Sequence, residues 1–128
     1  MRIFVTRWFS RFARRERIAD PDLVAAIDRA MSGLIDADLG GYLIKQRVAR
    51  RGGGRSGGYR VLIALRGGER SVFLYGFAKS ERENIDPAAL ADLKKLAKVF
   101  LTLTDAQIAS VLREGELREL SRDDEAKE

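Results

Sequence analysis

The sequence predicts an α+β fold, a small antiparallel sheet of three to five strands packed against helices. Three observations lead there. Apolar residues recur every three to four positions toward both ends of the chain, and every second position in its middle. Asp20-Pro21 and Asp86-Pro87 each stand where a helical stretch begins, an N-cap followed by proline in the first turn. Gly67-Gly68 separates two alternating stretches and marks a tight hairpin, since such turns need positive φ.

Each element follows from its own pattern. Residues 2–6 read as an opening strand, and a short helix after it turns Trp8, Phe9 and Phe12 inward. Leu23, Ile27, Ala30, Met31 and Leu34 form the buried stripe of a helix over 21–34. In a strand over 42–48, Tyr42, Ile44 and Val48 share one face while Lys45 and Arg47 share the other. In a strand over 59–66, Tyr59, Val61, Ile63 and Leu65 take one face and Arg60 leaves from the opposite one. Residues 71–79 are apolar on both faces until Lys79, which suits a central strand. Leu90, Leu93, Ala97, Phe100 and Leu101 line a helix that Asp86 starts and that runs to about Leu103. Thr104 with Gln107 makes a capping box for a further helix carrying Ile108, Val111 and Leu112, ended by Gly115. Residues 117–120 read as a short edge strand. The order is β-α-α-β-β-β-α-α in a single domain over 1–120, with 121–128 a polar tail.

The charge is uneven. Residues 1–82 hold seventeen Lys/Arg against eight Asp/Glu, and residues 83–128 hold seven against eleven. Between Leu39 and Gly68 there are seven positive side chains, no negative one and nine glycines. Such a stretch attracts polyanions, because no nearby carboxylate cancels its field and backbone amides approach a phosphate closely. Its glycines fit neither a Walker loop nor a Rossmann turn, since a strand rather than a helix follows them. Lys45, Arg47, Arg50, Arg51, Arg55 and Arg60, with Lys79 ending the third strand of the central run and Arg82 one turn later, are spaced to line one cationic groove if those strands are neighbours.

The chain has no cysteine and no histidine. That excludes disulfides, Cys-rich zinc sites and any His-based acid–base or nucleophilic site. No apolar run approaches the roughly 18 residues that span a bilayer, and the basic start lacks the features of a secretory signal. A cytoplasmic protein without a membrane partner is the expectation.

Two segments together carry a resemblance. Gly57-Gly58-Tyr59-Arg60-Val61-Leu62-Ile63 and Val72-Phe73-Leu74-Tyr75-Gly76-Phe77-Ala78-Lys79-Ser80-Glu81-Arg82, followed by a Leu/Lys helix, resemble the RelE/ParE toxin superfamily, and within it the HigB-like RelE toxins. The resemblance implies a bacterial type II toxin with a small antitoxin, often a helix-turn-helix protein. It also implies a metal- and cofactor-free mRNA endonuclease that works at the ribosome and so inhibits translation. Carried over by motif, the cleavage site would comprise Arg55, Arg60, Lys79 and Arg82. Arg51 and Tyr59 would join the RNA contacts. The pattern departs at Ser80, where RelE has a further arginine, and at Glu83-Asn84-Ile85, where the family has an aromatic residue. The alternatives on the same scaffold are a ParE-like gyrase inhibitor and a nucleic-acid-binding relative without catalysis.

Overall fold

In the computed structural model, which describes residues 1–49, 58–82 and 84–121, two layers of helices enclose one sheet. The elements are β1 (Arg2–Thr6), α1 (Arg7–Glu16), α2 (Asp20–Met31), β2 (Ala37–Gly40), β3 (Leu43–Val48), β4 (Tyr59–Arg66), β5 (Arg70–Ala78), α3 (Pro87–Thr102), α4 (Asp105–Arg113) and β6 (Leu117–Leu120). The class is the expected α+β. Among the described residues the sheet has six strands, ordered β2-β3-β4-β5-β1-β6, one more than the expected range. The extra strand is β2, too short and glycine-flanked to show an alternating pattern. The sheet is also mixed: β1 runs parallel to β5, with Ile3 opposite Ser71. A strand that opens the chain and inserts between β5 and β6 can take that direction because the long connection through α1 and α2 allows it.

Side-chain alternation divides the core. Ile3 and Val5 of β1, Ile44 and Val48 of β3, Tyr59, Val61 and Ile63 of β4 and Phe73 of β5 face α1 and α2. Phe4, Leu43, Leu62, Ala64, Val72 and Leu74 face α3 and α4, meeting Ala97, Leu101 and Ile108. Both interfaces exclude water, so each supplies the apolar burial that a two-sided central strand needs. Gly76 permits the closest approach, since a Cβ there would lie 2.5 Å from the Phe12 ring.

Several local expectations shift. Asp86 caps α3 by accepting from the Ala89 amide at 3.0 Å, and Thr104 and Gln107 form their capping box. Asp20 instead lies inside the first turn of α2, whose N-cap is Ala19, and its carboxylate binds Arg118 at 3.0 and 3.2 Å. The α2 helix stops at Met31, so Leu34 is exposed rather than buried. Tyr42 belongs to the β2–β3 turn with φ +63°, outside the inward face of β3. The β4–β5 hairpin uses residues 67–69, with Gly67 at φ +52°. Phe9 and Phe12 are buried as the pattern implied, whereas Trp8 is 44% exposed. It sits where β1 has ended, so no strand covers it.

Candidate nucleic-acid interface

The pairing of β3 with β4 places Arg47 opposite Arg60 and Lys45 opposite Leu62, on the face that carries α3 and α4. Like charges directly opposite each other destabilise a sheet unless something lies between them. Asp36 does. Its carboxylate stands 3.3 Å from Arg47 Nε, 3.7 Å from Arg60 Nε and 4.0 Å from Lys45 Nζ. Arg60 is the most enclosed of the three, with its side chain 9% exposed against 19% for Lys45 and 69% for Arg47.

The carboxylate is held there from the other side of the sheet. Gln46, 2% exposed, accepts the Asp36 amide at 2.8 Å and donates to the carbonyls of Ala26 and Leu34 at 3.0 and 3.1 Å. One buried amide therefore ties α2, the connection leaving it and β3 together, and fixes where Asp36 projects. Arg29 of α2 adds a hydrogen bond to the carbonyl of Arg47. Buried polar groups of this kind are retained when fully paired, since an unpaired one costs about 1–3 kcal/mol.

The turn after β5 closes the other side. Arg60 is opposite Phe77, so Lys79 is its diagonal neighbour, about 7–8 Å away between Cα atoms. The Lys79 amide donates to Gly58 at 3.0 Å, and the Arg82 guanidinium lies 5.9 Å from the centre of the Phe77 ring. Lys45 Nζ reaches Asn84 Oδ1 at 3.5 Å, which draws this turn across β4 toward β3. Among the described residues no group of three or more acidic side chains is placed to hold a metal ion.

Of the residues singled out by sequence, Lys45, Arg47 and Arg60 come together, with Lys79 and Arg82 beside them. Arg50, Arg51 and Arg55 lie outside the described residues. Tyr59 is a correction: it is 2% exposed, and its hydroxyl donates to Glu16 Oε1 at 3.0 Å, so its ring belongs to the core and not to an RNA contact. Odd-position alternation already put it on the apolar face. Asp36 and Gln46 were missed. The signals for them were the acidic pair Asp36 and Asp38 just before an acid-free window and a glutamine at an inward position of an apolar strand.

A family profile described as the RelE toxin of the RelE/RelB toxin–antitoxin system matches residues 1–120. The chain belongs to the RelE toxin family. No curated protein and no solved structure matches significantly. Family membership makes this RelE-family chain a toxin with a cognate antitoxin as its partner. Among the described residues no helix is long and apolar enough to cross a membrane.

Proposed function

We propose that this RelE-family toxin is a metal-independent endoribonuclease that cleaves messenger RNA presented by the ribosome. The observation that carries the reading is the meeting of Lys45, Arg47 and Arg60 on one face of the sheet, with Lys79 diagonal to Arg60. A scissile phosphate seated there would displace Asp36 as the partner of the cations. The 2′-oxygen then attacks the adjacent phosphorus, the bond from phosphorus to the 5′-oxygen breaks, and the 2′-proton leaves as another is delivered to the 5′-oxygen. Arg60 is suited to the charge that develops on the phosphorane, being enclosed and already oriented. Lys79, Arg82 and Arg55 complete the proposed catalytic set, and Lys45, Arg47, Arg50 and Arg51 hold the flanking backbone.

The chain has no side chain with an ordinary pKa near 7. Much of the acceleration must then come from orienting the RNA, which is worth up to about 7–11 kcal/mol in model systems. A ribosome holding the message supplies that orientation. Primer extension on a message incubated with the toxin tests the reading: cuts at codon positions with ribosomes, and none of comparable strength in naked RNA. Intact message together with lost supercoiling by gyrase would replace it with the ParE-like alternative.

A further inference from the structure

At the edge of β5 the structure holds an aromatic run that the phosphate site does not use. β1 pairs with β5 only from Arg70 to Phe73, so among the described residues Leu74–Ala78 have no strand on that side. Trp8 fills the place where β1 would continue. Its ring stacks on Tyr75 with centroids 4.6 Å apart and 24° between planes, and on Phe12 at 5.6 Å and 12°. Tyr75 continues to Phe77 at 6.3 Å. A guanidinium closes each end, Arg15 over Phe12 at 5.7 Å and Arg82 over Phe77 at 5.9 Å. These residues line a cleft of about 260 Å³, with Glu16 and Glu81 also on its wall.

We propose that this cleft is a stacking subsite for one unpaired nucleobase of the RNA, next to the phosphate held at Arg60. The inference rests on the nuclease reading and adds to it a place for a base. Three features favour a nucleotide. An indole left 44% exposed beside a cleft offers apolar area that any base can cover, since every base has a π-face. Arg15 of the helix bearing it and Arg82 from the turn after β5 both line the cleft, and two guanidinium groups suit a phosphate backbone. Phe77 pairs directly with Arg60, so one wall residue of the cleft lies one strand spacing, about 4.8 Å, from the cationic cluster, and only β5 separates the two. The exposed Glu81 repels phosphate but accepts N–H donors from a base edge, so the wall suits the base and the two guanidinium ends suit the backbone.

Trp8 is the only tryptophan of the chain, so its emission reports the site. Titrating the full-length toxin with an unstructured RNA octamer should quench that emission saturably, and a duplex of the same length should not. By anisotropy of a labelled octamer, Trp8→Ala should weaken binding roughly 5- to 150-fold, the factor that about 1–3 kcal/mol of stacking gives. Its salt slope should stay unchanged, because no phosphate contact is lost. Trp8→Phe keeps a ring and should retain most of the affinity, which separates lost stacking from misfolding. Emission that does not change up to millimolar octamer, equal quenching by duplex, or a Trp8→Ala affinity within twofold of wild type would each overturn the subsite. Ribosome-dependent cuts that persist alongside any of these results would leave the nuclease reading standing.

Discussion

At the β1–β6 side of the sheet, four arginines each have partners of their own. Arg2 binds Glu119 with two hydrogen bonds of 2.9 Å, and Arg118 grips both oxygens of Asp20. Arg7 donates to the carbonyls of Glu114 and Gly115 and pairs with Glu116, closing the end of α4. Arg70 donates to Phe100 and Leu103 at 2.8 and 2.9 Å, satisfying carbonyls that the end of α3 leaves open. At the β3–β4 side, three cations meet at the carboxylate of Asp36. The first arrangement locks strands and helix ends together and has no charge to spare. The second concentrates positive charge around one acid, which an incoming phosphate would replace under the proposed function. Cations thus tie the architecture together in one region and form the proposed recognition site in the other.

The largest expected effect tests the recognition side. Arg60→Ala should lower ribosome-dependent cleavage about 10²- to 10³-fold, or about 2.7–4 kcal/mol, the usual loss when one preorganised charge-stabilising donor is removed. Arg118→Ala should leave the cleavage rate within a few-fold, since Arg118 anchors β6 to α2. Primer-extension time courses on both variants measure the contrast. Similar losses in both would erase the distinction between the two regions.

Next in size is the link between core and site. Gln46→Leu keeps the volume but strands the Asp36 amide and the carbonyls of Ala26 and Leu34. Urea unfolding should show a loss of about 1–3 kcal/mol, and RNA binding should change with it because Asp36 is no longer fixed. An unchanged midpoint would mean that Gln46 merely fills space.

Asp36→Asn sharpens the comparison more gently, and in two directions at once. Removing the shared carboxylate leaves Arg47 facing Arg60 across the sheet, which should lower stability by about 0.2–1 kcal/mol. It should also raise RNA affinity at low salt, with the salt slope steeper by about 0.7 for each additional phosphate contact. A tighter but less stable variant fits the exchange of carboxylate for phosphate, while weaker binding would make Asp36 part of the binding surface itself.

Much of this was legible in the sequence, and the rest was hidden for physical reasons. Local chemistry announced the caps at Asp86 and Thr104, and alternation put Arg60 opposite the apolar face of β4. Lys45 and Arg47 shared that side because β3 also alternates. Register was not legible, since it depends on which strands become neighbours, and the direct Arg47–Arg60 pairing follows from register alone. Asp36 stood outside the basic window, and its place there depends on the Gln46 contact and on the pairing of β2 with β3, which no local pattern shows. Trp8 read as a core residue because helical spacing does not reveal that β5 runs on past its pairing with β1.

The smallest effect belongs to the architectural side. Hydrogen bonds from Arg2 hold the Glu119 carboxyl below its ordinary value near 4.5, against a smaller opposing effect of desolvation. A lowered folded-state pKa means that the fold favours the ionised form. The contribution is therefore complete above the ordinary value and is lost as the pH falls through the lower folded value. Both side chains are over a third exposed, so solvent screening keeps the pair below about 1 kcal/mol. Glu119→Gln should lower the urea midpoint slightly at pH 7. The difference from wild type should shrink as the pH falls below the ordinary carboxyl value and wild-type Glu119 takes up its proton, and again in high salt. A difference that persists unchanged in acid would assign the loss to packing between β1 and β6 rather than to charge.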